Sequence, residues 1–465
     1  MTIKLYNTLT NNKENFKPQK ERFVSMYVCG VTPYDHVHLG HARAYVVFDI
    51  IKRHLLQRGY KVKHIQNFTD VDDKIIKRAS EKNIQPSQLS QIYIDDYFAQ
   101  MEKLNVLKAQ EYPCVTGMIA EIISFIEELV SKGFAYNVDG DVYFSVEKFK
   151  DYGKLSKRKL ESLKAGARVV ICDEKTSAFD FALWKKTKEN EPQEVFWDSP
   201  WGKGRPGWHI ECSVMASHLL GDSIDIHGGG QDLIFPHHEN EIAQSEAKTG
   251  KQFVKYWVHN GFVTINKEKM SKSLNNFFTL NEVFEKYNPR VVRYYLLTQH
   301  YSSPLDFSDC GLDAAKNALQ GLDDAYLRLT TSMAEDTTVE IKDKDLLDLR
   351  DKFLSALDDD FNSEKALSYL HELKNIILNG LFSACKERLS FLRKLFEDLT
   401  EKSLGITLPK GESLDNDLEN LLKERNQARK SKNWQEADRI RDIINSKGYK
   451  IVDNKDGSSV LVKRI

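Results

Sequence analysis

The stretch that decides the fold reads Val28-Cys29-Gly30-Val31-Thr32-Pro33-Tyr34-Asp35-His36-Val37-His38-Leu39-Gly40-His41-Ala42-Arg43. It continues an apolar segment, RFVSMYVC, that predicts a buried strand, and it leads into an amphipathic helix over Ala42–Arg58 that Gly59 ends. After the helix, KVKHIQNFT predicts a second strand. This strand–helix–strand order is typical of a parallel α/β sheet.

His38 and His41 lie three residues apart around Gly40, at the predicted start of the helix. A helix start presents backbone N–H groups, and imidazoles beside them can hydrogen-bond to phosphate oxygens. Donors of this kind stabilise charge that grows on a phosphate in a transition state. The spacing therefore favours a nucleotide phosphate site, with a pair of helix-cap or surface histidines as the alternative.

Length and composition define the class of protein. The chain has 465 residues, 41% of them hydrophobic, and a formal net charge of −1, which predicts roughly three or four units with sizeable cores. The six cysteines are scattered, so a disulfide scaffold is not expected. No segment reaches the ~18 apolar residues of a membrane span, and the start lacks the pattern of a secretory signal. We expect no membrane partner and a cytoplasmic location.

The strand–helix pattern breaks and then resumes. A helix over Met118–Ser131 leads into a polar, lysine-rich stretch, which predicts an insertion at 114–203. The resumed pattern consists of a helix over Trp208–Leu220, a strand over Ser223–His227, a helix over Pro236–Thr249 and a strand over Phe253–Ile265. The parallel-sheet domain is therefore predicted to be discontinuous, over residues 1–113 and 204–309.

The remainder of the chain is mostly helical. Residues 310–400 predict a helical bundle, and 401–414 a linker. The tail, 415–465, is predicted as a small domain with one charged helix over Asp415–Asn445 and a hairpin turning at Asp456-Gly457. Residues 421–465 hold twelve Lys and Arg against six Asp and Glu, which suits a polyanionic partner.

A second block, Lys269-Met270-Ser271-Lys272-Ser273, places two lysines among small residues. Lysines on such a loop can bind the β- and γ-phosphates of ATP as pyrophosphate departs, although an ordinary solvated loop is the better interpretation of this block alone. Together and in this order, the histidine and lysine blocks resemble the signature pair of class I aminoacyl-tRNA synthetases.

A third group of residues indicates a metal site. His237 and Glu241 are four apart on a predicted helix and so share one face, and two distant cysteines could complete a four-ligand zinc site. Cys29 and Cys212 could instead be buried small hydrophobic residues. The blocks Gly207–Ser213 and Asp225–Glu241, with NFTDVDDK at 67–74 and WDSPWGKGRPGWHIECS, closely resemble the cysteinyl-tRNA synthetase family over nearly the whole chain.

The resemblance implies an α/β fold in which a Rossmann-type catalytic domain with an insertion precedes an α-helical bundle and a small C-terminal α+β domain. It implies that one Zn²⁺ per chain is bound by Cys29, Cys212, His237 and Glu241, and that it takes the thiolate of the substrate L-cysteine. The amino-acid pocket is then formed by Gly30, Thr69, Trp208, His227 and Asp232. ATP, bound with Mg²⁺, contacts His38, Gly40, His41, Gly228, Gly229, Gly230, Lys269 and Lys272. The catalytic residues are His38, His41, Lys269 and Lys272.

The expected reaction is formation of cysteinyl-adenylate and pyrophosphate, followed by transfer of cysteine to the terminal adenosine of tRNA-Cys. Zinc prefers a thiolate to a hydroxyl, so serine and alanine are rejected and no editing is expected. The resemblance places the anticodon contacts in the tail, where Trp434 would stack on a base and Arg429 and Asp438 would contact base edges. Trp434 could alternatively anchor a small tail core. We expect a monomer.

Some positions differ from the family pattern. Asn275 stands where the family usually has glycine, and Val460 where tryptophan is expected. Two other functions remain open: a cysteine ligase that joins cysteine to an amino sugar, as in mycothiol synthesis, and a non-catalytic RNA-binding paralogue. The basic tail argues against the first, and the intact signature and zinc positions argue against the second.

Overall fold

The computed structural model describes residues 2–158, 177, 179–189, 191–265, 268–269, 278–331, 343–380, 385–409, 416–453 and 459–463. Its strands are β1 Lys4–Asn7, β2 Asn12–Asn15, β3 Phe23–Val31, β4 Lys61–Phe68, β5 Ala135–Val138, β6 Asp141–Phe144, β7 Phe181–Lys186, β8 Gly204–Pro206, β9 Ile224–Gly230, β10 Val254–Asn260, β11 Val263–Ile265, β12 Glu268–Lys269, β13 Leu305–Asp306, β14 Tyr449–Asp453 and β15 Ser459–Lys463.

The helices are α1 Leu39–Gln57, α2 Asp73–Lys82, α3 Pro86–Lys103, α4 Ile119–Ser131, α5 Trp208–Leu220, α6 Glu239–Thr249, α7 Leu280–Lys286, α8 Pro289–Leu296, α9 Asp309–Thr331, α10 Lys344–Asp358, α11 Ser363–Gly380, α12 Lys386–Glu397, α13 Asn416–Lys430 and α14 Trp434–Ser446. Within the described ranges, no helix combines the length and the apolar character that crossing a bilayer requires.

The predicted parallel sheet is present, with the strand order β10-β9-β3-β4. β3 lies in the interior because its apolar residues face partners on both sides, and α1 follows it directly. The carboxyl ends of β3, β9 and β10 meet at one edge of the sheet. That edge is where ligands bind in open α/β sheets.

The strand predicted over Phe253–Ile265 is two strands, so this prediction is wrong. β10 ends at Asn260, and β11 leaves the parallel sheet to pair with β12 and β13. The break falls at Gly261, where a Cβ atom would lie 2.5 Å from the carbonyl oxygen of Ser303. This close approach of two backbone segments requires glycine and redirects the chain.

The insertion folds as helix α4 beside the antiparallel sheet β5-β6-β7-β8. Its last strand, β8, lies just beyond the predicted boundary at 203. Arg205 in β8 ion-pairs with Glu191 at 2.7 Å and with Asp73 at the start of α2 at 2.5 Å. These contacts fix the insertion to the sheet domain.

The helical segment forms α9 to α12, and its apolar core is continuous with that of the sheet domain. Val46 of α1, Leu319 of α9 and Leu373 of α11 belong to one buried cluster. The first part of the segment predicted as a linker also packs into this cluster, through Leu404 and Ile406. His54 of α1 also contacts Asp358 at the end of α10 at 2.8 Å, so the bundle touches α1 directly.

The tail helix predicted over Asp415–Asn445 is two helices, α13 and α14, so that prediction is also wrong. Lys432 adopts a left-handed backbone conformation with φ of 58°, which ends α13. Asn433 then caps α14, because its side-chain oxygen accepts a hydrogen bond from the Glu436 N–H at 3.3 Å. β14 and β15 form the predicted hairpin, whose turn residues lie outside the described part.

A buried cluster of charges joins α1 to the bundle side of the molecule. Asp49 accepts hydrogen bonds from Arg53, at 2.7 Å, and from Arg293 of α8. Burial alone would raise the pKa of Asp49, but the two guanidinium groups lower it below the ordinary value of 3.8. Arg293 also donates to the Leu404 carbonyl at 2.8 Å.

Replacing Asp49→Asn should lower the free energy of unfolding at pH 7 by about 3 kcal/mol, because two buried cations lose their anion. Because the pKa of Asp49 is lower in the folded protein than in the unfolded chain, its ionised carboxylate stabilises the fold at pH values above the unfolded-state pKa. This stabilisation is lost as the pH falls through the folded-state pKa. Urea denaturation should therefore show a constant difference from wild type above pH ~5 and a shrinking one below the ordinary pKa of 3.8. The control Asp348→Asn removes an exposed ion pair with Lys352 and should have almost no effect. A difference independent of pH would contradict the prediction.

Candidate active site and metal centre

A cavity of about 340 Å³ opens at the carboxyl edge of the parallel sheet. The turn between β3 and α1 forms one part of its wall, and the ends of β9 and β10 form another. Its wall includes Cys29, Gly30, Tyr34, His38, Gly40, His41, Lys74, Trp208, Gly229, Gly230, Asp232, Asn260 and Gly261. The structure thus brings the histidine block and the glycine-rich end of β9 to one place.

The two signature histidines form the N-terminal cap of α1. The Nδ1 atom of His38 accepts hydrogen bonds from the N–H groups of Gly40 at 3.1 Å and His41 at 3.4 Å. The rings of His38 and His41 are stacked, with centroids 3.6 Å apart. The sequence predicted that backbone N–H groups here would face a phosphate, but His38 itself satisfies two of them.

Four candidate metal ligands come together from three segments of the chain. Cys29 lies near the end of β3, Cys212 within α5, His237 in the π-helical turn Ile234–His238 just before α6, and Glu241 in the first turn of α6. The Cys29 Sγ atom lies 3.8 Å from Cys212 Sγ, 3.5 Å from His237 Nε2 and 3.7 Å from Glu241 Oε1. All four side chains are buried. Their positions are those that the sequence predicted for a metal site.

The electrostatics of this cluster call for a cation. The hydrogen bond from Cys29 lowers the pKa of the Cys212 thiol to about 6, although burial opposes it. Burial raises the pKa of Glu241, but His227 and His237 lower it to about 2. Burial lowers the pKa of His237, whereas Glu241 and Cys212 raise it to about 10. The cluster therefore holds two buried anions, Cys212 and Glu241, and the His237 imidazolium balances one of them, while burial raises the pKa of Cys29 well above its ordinary value.

A second set of buried groups includes His227 and His238 with Cys29 and Glu241. His238 Nε2 lies 3.3 Å from Cys29 Sγ but 3.8 Å from Glu241 Oε1, and its Nδ1 atom pairs with His259 at 2.8 Å. His237 Nε2 lies closer to Glu241 Oε1, at 3.0 Å. The set with two thiols is the better zinc site, because thiolates are the preferred soft ligands.

Histidines behind the ligands were not singled out by the sequence. His209 contacts His237 through their Nδ1 atoms at 3.0 Å, and His259 contacts His238. Trp257 stacks on the ring of His227 with centroids 4.6 Å apart. The sequence does contain histidines at 209, 237, 238 and 259, but only the folded sheet shows that they are neighbours.

The amino-acid pocket residues predicted from the family fall into two groups. Gly30, Trp208 and Asp232 line the cavity, and Trp208 is 40% exposed while its ring stacks on His237 at 4.4 Å. Thr69 and His227 are buried behind the wall. Thr69 donates a hydrogen bond to Glu211 at 2.9 Å, and His227 Nε2 lies 2.7 Å from Glu241 Oε2. These two residues support the pocket from outside the cavity wall.

The residues predicted to bind the nucleotide also fall into separate groups. Gly229 and Gly230 line the cavity, whereas Gly228 packs against α1, since a Cβ atom there would lie 2.2 Å from the Phe48 ring. The backbone of Lys269 pairs with Thr264 in the β11–β12 ladder. Lys272 and Asn275 lie outside the described residues.

The three predicted anticodon residues lie far along the chain, in α13 and α14. Trp434 begins α14 and is 58% exposed. Arg429 ion-pairs with Asp453 at 2.6 Å, and Asp438 pairs with Arg441 at 2.9 Å. The tail core consists of other residues, namely Leu418, Ile440, Ile444 and Leu461.

The sequence and the fold match a known class. A family model described as the class I (C) tRNA synthetase catalytic domain matches residues 15–317, and a DALR domain model matches 352–408. A Mycobacterium tuberculosis methionyl-tRNA synthetase bound to methionyl-adenylate superposes with a TM-score of 0.60, at 15% identity, covering 84% of this chain and 92% of that one. A LeuRS–tRNA–LeuAMS complex from Agrobacterium radiobacter gives 0.62, at 13% identity over 84% of this chain and 85% of that one. The molecule has the fold of a class I aminoacyl-tRNA synthetase.

The particular family follows from closer relatives. The chain is 74% identical over 466 residues to the cysteine–tRNA ligase of Endomicrobium trichonymphae, covering 100% of both, and 48% identical to that of Caldicellulosiruptor saccharolyticus, covering 98% of this chain and 99% of the relative. A model of the cysteinyl-tRNA ligase anticodon-binding domain matches residues 412–459. The chain belongs to the cysteine–tRNA ligase family. Its activity is ATP-dependent ligation of cysteine to tRNA-Cys, which sets aside the amino-sugar ligase and the non-catalytic paralogue.

The site depends on glycine at position 30, beside Cys29 of the candidate metal-binding cluster. A Cβ atom there would lie 1.5 Å from the Asn67 carbonyl oxygen of β4. Gly30→Ala should therefore separate β3 from β4 and cost about 3 kcal/mol or more of unfolding free energy. Urea denaturation followed by tryptophan fluorescence measures this cost. Gly117→Ala is the matched control, because no atom lies within 4 Å of its added Cβ; equal stability of the two variants would contradict the argument.

Proposed function

We propose that the buried cluster of Cys29, Cys212, His237 and Glu241 binds one zinc ion that recognises the substrate cysteine. The observation that carries this proposal is the spacing of the donors. Two thiolates bound 2.3 Å from a tetrahedral zinc ion lie about 3.8 Å apart, and the Cys29 and Cys212 sulfurs are separated by 3.8 Å. When bound, zinc supplies a soft Lewis acid that coordinates the substrate thiolate.

Selection of cysteine then follows from the ligand chemistry. Serine offers a hydroxyl that binds zinc poorly, and alanine offers no ligand. A site built to bind one group rejects substrates that lack it by a factor on the order of 10⁴ or more. The Trp208 ring, stacked on His237, covers the metal cluster and restricts the size of the side chain that enters. No separate editing reaction is required.

In the first step the cysteine carboxylate attacks the α-phosphate of ATP, and pyrophosphate leaves with its Mg²⁺. His38 and His41 contact the reacting phosphate through their imidazole Nε2 atoms, because the Nδ1 atoms of both rings accept backbone N–H groups in the helix cap. Lys269 and Lys272 bind the β- and γ-phosphates. These donors stabilise the charge that develops as the bond to pyrophosphate breaks.

The nucleotide and the amino acid occupy different walls of the cavity. Gly40, Gly229 and Gly230 allow the adenosine and ribose to approach the backbone closely, with Gly228 holding α1 against the sheet beneath them. Asp232 lies on the cavity wall and is suited to the substrate ammonium. Thr69 and His227 position the amino-acid pocket from behind the wall.

In the second step a ribose hydroxyl of the terminal adenosine attacks the activated carbonyl, and AMP leaves. No protein nucleophile is required, since the adenylate is already activated and correct positioning supplies much of the acceleration. The tail reads the anticodon, with Trp434 as a stacking platform and Arg429 and Asp438 at base edges. The exposure of Trp434 and its absence from the tail core support this role over an anchoring one.

The remaining parts of the proposal concern the domain boundaries, the oligomeric state and the location of the protein. The catalytic domain comprises 1–113 and 204–309, the insertion 114–203, the bundle 310–400, the linker 401–414 and the tail 415–465. The ligase acts as a cytoplasmic monomer, where tRNA and ATP are available. Lys450 of β14 ion-pairs with Asp324 of α9 at 2.6 Å, which supports a tail held against the bundle.

Zinc analysis tests the metal proposal. The protein should contain about one zinc per chain, as a closed four-ligand site requires. Cys212→Ala should reduce zinc content and abolish cysteine-dependent pyrophosphate exchange, because a buried ligand is lost. Cys310→Ala, at an exposed free thiol, should preserve both. Retention of exchange by Cys212→Ala would overturn the proposed zinc–thiolate mechanism.

Kinetics with tRNA test the tail. Trp434→Ala should raise the KM for tRNA-Cys roughly 5- to 150-fold, because base stacking on an aromatic residue contributes about 1–3 kcal/mol. Trp434→Phe should retain most of the affinity. Pyrophosphate exchange should be unchanged in both variants, since that step needs no tRNA. An unchanged KM in a normally folded Trp434→Ala protein would favour a purely structural role.

A further inference from the structure

The aromatic ring of Tyr34 and the ammonium group of Lys74 lie at the edge of the cavity beside β4, and the proposed ATP and cysteine sites use neither of them. Lys74 lies in the first turn of α2 and is exposed, and its Nζ atom lies 5.4 Å from the centroid of the Tyr34 ring. Both residues line the cavity. Within the described part of its wall, Lys74 is the only lysine or arginine.

The fold fixes this pair where the sheet domain meets the insertion. Tyr34 packs against an apolar cluster on α2 and α3, composed of Ile75, Ala79, Leu89 and Tyr93. Asp73, beside Lys74 on α2, ion-pairs with Lys185 at 2.8 Å and with Arg205 at 2.5 Å, both in strands of the insertion. The backbone that carries Lys74 is thus held while its side chain extends to the cavity.

One carboxylate shares this edge. Asp35 lines the cavity, and its charge would repel a phosphate. Arg78 lies one helical turn after Lys74 and interacts electrostatically with Asp35, although it also pairs with Glu81 at 3.1 Å.

The ligand of the Lys74–Tyr34 pair is inferred by elimination among the three substrates. The glycines at the end of β9 face the nucleotide, and the metal cluster faces the amino acid; the inference rests on these two assignments under the proposed function. A third substrate, the single-stranded end of an RNA, must reach the same activated carbonyl. An aromatic ring with an adjacent cation is the arrangement that binds single-stranded nucleic acid through base contact and phosphate neutralisation.

We propose that Lys74 and Tyr34 bind the 3′-terminal nucleotide of the tRNA at this edge. Lys74 Nζ contacts a backbone phosphate, and the Tyr34 ring contacts a base. The pair holds the terminal ribose near the carbonyl of the adenylate during transfer. It takes no part in forming the adenylate, which requires no RNA.

The test compares Lys74→Ala with Lys74→Arg in two assays on the full-length protein. Lys74→Ala should leave cysteine-dependent pyrophosphate exchange within about 2-fold of wild type and lower kcat/KM for tRNA-Cys roughly 10- to 100-fold, as expected for loss of one hydrogen bond to a charged group. Lys74→Arg should recover most of the loss. Lys20→Ala is the control, because Lys20 is also exposed over an aromatic ring, Phe23 at 5.6 Å, but at the amino end of β3.

Binding to shortened RNA locates the contact. Lys74→Ala should weaken binding of intact tRNA-Cys, but not of the same tRNA lacking its 3′-terminal nucleotides. A parallel fall in pyrophosphate exchange would assign Lys74 to ATP binding, and an equal loss of affinity for the shortened tRNA would place the contact elsewhere on the RNA. Unchanged charging of tRNA-Cys would show that Lys74 has no role. Each of these results overturns the proposal. Failure of the zinc proposal is distinguishable, since it is judged from exchange in Cys212→Ala.

Discussion

The active site depends on the burial of two cysteines and a glutamate in contact with one another. Cys29, Cys212 and Glu241 come from β3, α5 and α6, so their approach fixes these three elements relative to one another. Burial of anionic groups is costly unless a positive charge compensates them. His237 contacts the same groups and its pKa is raised to about 10 by Glu241 and Cys212, against the effect of burial. The cluster therefore exists only where β3, α5 and α6 pack together.

Much of this arrangement could be predicted from local patterns. The apolar run before Cys29 and the helix after it identified β3 and α1, and the four-residue spacing of His237 and Glu241 placed both on one face. Local patterns could not show that Thr69 lies behind the cavity wall, because that depends on its hydrogen bond to Glu211. They also missed the end of β10, where the reason is a close contact between Gly261 and the distant Ser303.

α1 connects the chemistry to the remainder of the chain. Its first turn carries the stacked imidazoles of His38 and His41, while Asp49, farther along, binds Arg293 in the interior. Arg293 in turn donates to the carbonyl of Leu404, in the segment that leads towards the tail. Buried hydrogen bonds therefore join α1, which carries the signature histidines at its start, to α8 and to the segment that follows the bundle.

The residues around the cavity differ in chemistry from one side to another. Cys29 belongs to the buried thiol cluster, Gly229 leaves part of the wall without a side chain, and Lys74 and Tyr34 lie at the edge beside β4. His38 lines the same cavity. Groups held in this way react as if at very high local concentration, which can supply several kcal/mol towards the barrier without a protein nucleophile. The site therefore needs few catalytic side chains, and its precision comes from the packed elements that place each wall around a single reacting carbon.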